Sequence, residues 1–258
     1  GSLMKVTVLG SGTSQGVPVI ACECEVCESI NPKDNRKRCS ILIEENDTKI
    51  GVDTGPDFRQ QMLDAKVKSL DAVLFTHEHK DHVAGLDDVR AFNFSSGGKE
   101  MDVYATSRVQ HALKREFEYV FSANQYPGIP RINLLSIDKR QFQIKDLTII
   151  PIDVLHYKLP VKAFRVKDFA YVTDANYISE EEKKKLLNLD VLILTALRIE
   201  KHISHFNLEE AIELIQELKP KKAYLTHISH LMGKHKNVEE LLPSDIYLCY
   251  DGLELEFN

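Results

Sequence analysis

No apolar run in the 258 residues approaches the length of about eighteen that a transmembrane helix requires, so no membrane span is expected. Basic character is equally scarce. The net charge is −6, and Arg36-Lys37-Arg38 is the main basic cluster beside short lysine runs. A long polyanion such as tRNA or DNA calls for a basic footprint, so nucleic acid is not an expected partner. Nothing at the start follows the charged, apolar, small-residue order of a secretory signal. Gly1-Ser2 reads as a cloning remnant, residues 1–3 as foreign or disordered, and Met4 as close to the natural start. No linker, low-complexity segment or internal repeat interrupts the chain, so a single domain over 1–258 is expected. The five cysteines are an odd number, and three of them crowd into Cys22-Glu23-Cys24-Glu25-Val26-Cys27. That arrangement suits a reduced, metal-binding use in the cytoplasm better than a disulfide framework.

What is present is a globular balance of 43% hydrophobic and 28% charged residues, enough to bury a substantial core. Its most informative stretch is Thr76-His77-Glu78-His79-Lys80-Asp81-His82, directly after the apolar run Leu70-Asp71-Ala72-Val73-Leu74-Phe75. Three imidazoles and a carboxylate this close would be hard to keep together once the imidazoles were protonated. A divalent cation resolves the conflict by holding the imidazoles neutral and the carboxylate ionised. In a turn after a strand, His77 and His79 point the same way while Asp81 and His82 come from the next bend. One short segment can therefore seed two adjacent metal positions. The plain alternative is a polar loop of solvated histidines.

The pattern T-H-x-H-x-D-H after an apolar strand resembles the signature of the metallo-β-lactamase superfamily. The resemblance implies an α/β protein folded as a four-layer αββα sandwich, with metals at one edge of two mixed sheets. It also implies further ligands from distant turns, and His156, Asp174 and His227 fill those places. His156 ends the run Leu147–Leu155, Asp174 follows Phe169–Thr173, and His227 follows Ala223–Thr226. By resemblance, His77, His79 and His156 hold a first metal, Asp81, His82 and His227 a second, and Asp174 bridges them. Nitrogen and carboxylate ligands suit zinc or manganese. Two such cations can share a hydroxide for in-line attack on phosphorus.

The remaining runs fill out this frame. Strand-like segments are Lys5–Leu9, Ser40–Glu44, Lys49–Asp53, Ala72–Phe75, Met101–Ala105, Leu147–Val154, Ala163–Val166, Ala170–Thr173, Val191–Leu194, Ala223–Thr226 and Ile246–Cys249. Helical patterns cover Phe58–Ala65, Ser107–Tyr119, Ser179–Leu187, Leu208–Leu218 and Val238–Leu242. Ser179 with Glu182, and Asn207 with Glu210, read as capping boxes. Asp53, at a strand end, reads as a brace for the ligand loop and not as a ligand. Gly10-x-Gly12 lacks the third glycine and following helix of a dinucleotide fingerprint.

Cys22-x-Cys24-x-x-Cys27 offers three soft ligands to a structural zinc, which requires a fourth, and His230 stands three residues past His227. Reduced thiols packed under a loop are the plainer reading. Cys39 and Cys249 read as buried small hydrophobes, and His111 and His235 as surface histidines. The opening Val8-Leu9-Gly10-Ser11-Gly12-Thr13-Ser14-Gln15-Gly16-Val17-Pro18, the three cysteines, and Val52-Asp53-Thr54-Gly55-Pro56-Asp57-Phe58-Arg59 together resemble the PhnP family. Its type member is a 5-phosphoribosyl 1,2-cyclic phosphate phosphodiesterase. The resemblance runs from the glycine-rich opening to Thr226-His227-Ile228-Ser229-His230 and departs mainly over Val120–Leu135. It implies a phosphodiesterase with a two-metal active site, a structural zinc held by Cys22, Cys24, Cys27 and His230, a small, possibly cyclic, phosphodiester substrate and a homodimer.

Asp81 and His205 are the candidate catalytic residues. The PhnP resemblance places a leaving-group histidine near Ile203-Ser204-His205-Phe206-Asn207, where His205 is preferred over His202. A tRNA 3′-processing endonuclease of the ribonuclease Z type shares the ligand logic but usually carries a basic, glycine-rich arm, which the sequence lacks. A thioester or lactam hydrolase and a non-catalytic metal-binding scaffold are also compatible with the ligand pattern. The scaffold reading is opposed by seven filled ligand positions.

Overall fold

The structure, a computed structural model, describes residues 3–124 and 126–258. The expectation for Gly1 and Ser2 lies outside the described residues, as does Gln125 within the segment departing from the PhnP pattern. In chain order the strands are β1 (Met4–Gly10), β2 (Ser40–Glu45), β3 (Thr48–Val52), β4 (Ala72–Leu74), β5 (Met101–Ala105), β6 (Ile132–Ser136), β7 (Phe142–Ile144), β8 (Leu147–His156), β9 (Leu159–Val166), β10 (Phe169–Val172), β11 (Val191–Thr195), β12 (Lys222–Thr226), β13 (Ile246–Leu248) and β14 (Glu254–Phe257). The α-helices are α1 (Phe58–Asp64), α2 (Lys80–Val83), α3 (Arg90–Ser95), α4 (Ser107–Glu116), α5 (Glu118–Phe121), α6 (Glu180–Lys183), α7 (Leu208–Leu218) and α8 (His235–Leu241).

Two seven-stranded sheets result, ordered β14-β1-β2-β3-β4-β5-β6 and β13-β12-β11-β10-β9-β8-β7. Their inner faces close on one apolar layer, in which Val6, Ile41, Ile43, Ile50 and Val52 of the first sheet meet Ile149, Phe164, Phe169 and Ile193 of the second. The outer face of the first sheet is covered by Phe58, Met62, Val109 and Leu113 of α1 and α4. The outer face of the second packs on Ala211, Leu214, Ile215 and Leu218 of α7. Layer by layer this is α, β, β, α, the metallo-β-lactamase fold. No helix among the described residues is long and apolar enough to cross a membrane.

Local chemistry explains most element ends. The expected apolar stripe of α7 is buried, and Asn207 makes a full capping box with Glu210. At α6 the box is only half made. Ser179 accepts from Glu182 N, but the Glu182 carboxylate accepts from Asp153 N at 2.8 Å, tying the helix to β8 instead of to its own cap. The single helix expected over Ser107–Tyr119 breaks at Phe117, and a short second helix, α5, follows. Residues 80–95, given no element by the sequence, coil into α2, a 3-10 turn over Leu86–Val89, and α3. Strands β6, β7 and β14 also lack a sequence signal. β6 and β14 are partly exposed edge strands, while β7 borders the second sheet; none carries a long apolar run.

Candidate metal centre

Each proposed ligand leaves a sheet at the same edge. His77 and His79 follow β4, His156 closes β8, Asp174 follows β10 and His227 follows β12. This edge is where open α/β sheets leave room for chemistry, because the chain must turn and side chains converge. The two sheets are joined there, since Lys162 N of β9 donates to Thr76 O at 3.0 Å. Asp174 and His227 turn with φ of 46° and 60°, and Asp53 with 66°, so three strand-end residues adopt the left-handed region. Asp and His tolerate that region better than bulky residues, and such strain gathers at functional sites.

The glycines beside the ligand loop have a packing purpose. A Cβ on Gly85 would lie 2.1 Å from Gly55 O, and one on Gly55 would lie 2.4 Å from Asp81 O, so the two turns touch backbone to backbone. Gly10 and Gly12 likewise allow the N-terminal segment to press on Arg38 and Arg36–Lys37.

Two donor groups form around Asp174. His77, His79, His156 and Asp174 place one ligand atom each within 4.8 Å of one another, and so do Asp81, His82, Asp174 and His227. Asp174 divides its oxygens between them. Oδ2 lies 3.4 Å from His77 Nε2, whereas Oδ1 lies 3.1 Å from His82 Nε2 and 3.0 Å from His227 Nε2. Asp81 Oδ2 sits 3.1 Å from His82 Nε2.

Hydrogen bonds on the far ring nitrogens set the tautomers. Thr76 Oγ1 donates to Asp53 Oδ2 at 2.8 Å, so it can only accept from His77 Nδ1 at 2.9 Å. His82 Nδ1 faces Asp53 Oδ2 at 2.6 Å, and His156 Nδ1 faces Ser204 O at 2.8 Å. All three rings then carry their proton on Nδ1 and turn a lone pair on Nε2 inward. Asp53 is thus the brace the sequence implied, organising Thr76 and His82 without touching the centre. Such partners commonly fix the orientation of metal ligands.

The donor set fits divalent cations. His77 Nε2, His82 Nε2 and His227 Nε2 are buried without a hydrogen-bond partner, an expensive arrangement unless something else satisfies the lone pairs. The electrostatics agree. Burial pushes the Asp174 and Asp81 carboxyls up, but the facing histidines outweigh it and hold both well below the usual carboxylate range. Burial lowers His82 and His227, yet Asp174 overrides it and lifts His82 well above its ordinary value and His227 to about 10. Both carboxylates therefore call for positive charge at the Nε2 side, which a divalent cation supplies.

A second cluster lies beside the first. His230 Nδ1 is 3.3 Å from Cys22 Sγ and 3.5 Å from both Cys24 and Cys27 Sγ. These four atoms meet the same mutual distance of 4.8 Å. The Cys27 N–H donates to Cys24 Sγ and draws that thiol down to about 6, in the direction a thiolate ligand needs. Burial pushes the Cys27 thiol up to about 11.

His205 is buried against both ligand groups, its ring centroid 4.4 Å from His156 and 4.9 Å from His227. Burial and then His227 push it down to about 2, so the ring is neutral. His202 stands a step farther out, 5.2 Å from His205, with Nδ1 accepting from Ser204 N. The sequence missed Asn176, which accepts from Tyr157 N at 2.7 Å and donates to Ile203 O at 3.2 Å. It thereby joins the His156 turn, the Asp174 turn and the His205 loop. A half-buried Asn two residues after Asp174 carries no signal of this in the sequence. His235 is a correction. It is 3% exposed and packs its Nδ1 against Arg36 Nη2 at 3.2 Å.

Residues 48–228 match the beta-lactamase superfamily domain. A crystal structure of a new diphosphatase from the PhnP family superposes with a TM-score of 0.93 at 37% identity, covering 99% of this chain and 97% of that one. The octanoyltransferase of Porphyromonas gingivalis is 41% identical over 254 residues, 97% of this chain, and the chain spans about half (51%) of that protein. The human short-form tRNase Z, at 17% identity and a TM-score of 0.68 over 97% of this chain and 98% of that one, shares the fold. The chain belongs to the metallo-β-lactamase superfamily, and within it the chain is PhnP-like.

Proposed function

We propose that this hydrolase cleaves a small phosphodiester, a cyclic one being the first choice, using the seven ligands as a two-metal centre. The observation that carries this reading is the division of Asp174, one oxygen toward His77 and the other toward His82 and His227. Two divalent cations, zinc or manganese, would supply neutralisation of the phosphate charge and a nucleophile available near neutral pH. His77, His79 and His156 would hold the first, Asp81, His82 and His227 the second, with Asp174 shared. Asp81 also keeps its carboxylate ionised beside the reacting phosphate. The neutral His205 ring would donate an N–H to the leaving oxygen, and His202 stands ready only at longer range. Cys22, Cys24, Cys27 and His230 would hold a structural zinc that anchors the N-terminal loop.

A diphosphate is the second reading, favoured by the likeness to the PhnP-family diphosphatase. The transferase activity named for the Porphyromonas protein we assign to the half that this chain does not span. The net charge of −6 argues for small substrates over tRNA, the substrate class of a ribonuclease Z. A screen of manganese- or zinc-loaded protein against ribose cyclic phosphate, cyclic nucleotides, dinucleoside diphosphates and bis(p-nitrophenyl) phosphate tests the reading. Turnover of cyclic diesters supports it, turnover of diphosphates alone favours the second, and no turnover of any leaves a metal-binding scaffold.

A further inference from the structure

Below the two donor groups lies a buried polar cluster to which the proposed reaction gives no part. Cys39, 1% exposed and immediately before β2, places Sγ 2.9 Å from Tyr171 Oη, 3.5 Å from Thr226 Oγ1 and 3.6 Å from Thr173 Oγ1. Thr173 and Thr226 directly precede Asp174 and His227. One thiol from the first sheet therefore touches the residues that introduce two ligands from the second.

Proton counting gives this cluster a direction. A hydroxyl has one proton to donate. Thr173 spends its proton on Asp174 Oδ1 at 2.7 Å. Toward Cys39 it can then only accept, so this contact is a hydrogen bond when the thiol proton points to Thr173 Oγ1 and not to Thr226 Oγ1, the other hydroxyl in reach. Sγ is left to accept from Tyr171, whose hydroxyl proton is held by burial and by the neighbouring Cys39. With the thiol so turned, the bonds run in series from Tyr171 through Cys39 and Thr173 to Asp174 Oδ1, and buried donors in series polarise one another. The series ends on the oxygen facing His82 and His227. Oδ2, facing His77, receives nothing from it.

We propose that Thr173 and Cys39 are positioning residues that hold Asp174 Oδ1 toward Asp81, His82 and His227, and so set the metal affinity of that group apart from its neighbour's. The proposal rests on the metal-ligand reading above. It gives a reason for a buried thiol at a place where packing alone would accept valine or alanine.

The test is zinc binding to the metal-stripped full chain, by competition with a chromophoric chelator. The Thr173→Val, Thr173→Ser, Cys39→Ala and Cys39→Ser substitutions are each made in two backgrounds. His79→Ala disables the first group and leaves the second to be read, and Asp81→Ala does the reverse. Thr173→Val is expected to weaken the second group about 10–100-fold, the usual cost of losing an outer partner, and the first group far less. Cys39→Ala should shift the same group in the same direction by a smaller factor, and both serine variants should restore it. Equal loss in the two backgrounds, no loss in either, or a lower melting temperature of the stripped protein with unchanged affinity would each overturn the proposal. If the unmutated chain takes up zinc at the cysteine cluster alone, the two-metal reading fails, and the positioning proposal falls with it.

Discussion

His227 and His230 stand three residues apart and turn into different donor groups. His227 Nε2 lies 3.0 Å from Asp174 Oδ1, and His230 Nδ1 lies 3.3 Å from Cys22 Sγ. Between them, Ile228 N donates to Ser11 O, while Ser229 N and Oγ both bond Leu197 O. The glycine-rich opening, the cysteine loop and the second ligand group are thus held by one short segment.

On the structural-zinc reading, this geometry makes the cysteine cluster a stability element first. Cys24→Ser is expected to lower zinc content and melting temperature, because a thiolate site ties folding energy to metal binding. The chemistry itself should survive in whatever protein remains folded. Elemental analysis beside a thermal melt decides it, and undiminished zinc in the variant would remove the structural site.

Asp174→Ala should abolish phosphodiester hydrolysis and weaken retention of metal in both active-site groups, since each borrows one carboxylate oxygen. Metal content after gel filtration, read together with activity in excess zinc or manganese, checks this. Full activity in the metal-replete variant would reject a shared ligand.

His205→Ala should lower kcat by about 10²–10³-fold, the usual worth of one hydrogen-bond donor aimed at developing charge, while metal content stays constant. The deficit should shrink for a p-nitrophenolate leaving group, which needs little help in departing. His202→Ala, farther from both ligand groups, should cost much less. An equal His205→Ala deficit for good and poor leaving groups would reduce His205 to a binding residue.

Acid stability should depend on His235. Burial and then Arg36 push this imidazole down to about 4 from an ordinary 6.5. The unfolded chain therefore binds the extra proton first. The contribution is complete above pH 6.5 and is lost as pH falls from there toward 4, by roughly 3 kcal/mol at most. His235→Gln should flatten the dependence of unfolding free energy on pH across that window, measured by urea denaturation at several pH values. An unchanged slope would locate the acid sensitivity elsewhere.

Much of the candidate centre was legible in the sequence because its proposed ligands end apolar strand-like runs. His77, His156, Asp174 and His227 stand at or within a few residues of a strand's end, and the Asn207–Glu210 box marked the start of α7. Those are local signals, carried by alternation, helical period and capping over a few neighbouring residues. The edge strand β6 and the break at Phe117 had no such signal, since pairing with β5 and packing on the first sheet decide them.

By itself, then, the sequence determined which residue types gather and at which strand ends, and with them the four-layer fold and the candidate donor groups. The tertiary structure alone decided how they face. Asp53 turns His82 from 29 positions away, Cys39 meets Thr226 across 187, and Arg36 buries His235 across 199. Local periodicity cannot encode such contacts, because a hydrogen bond's direction depends on where two distant backbones stop relative to one another. The division of Asp174 between two donor groups, on which the proposed chemistry rests, is set at that level.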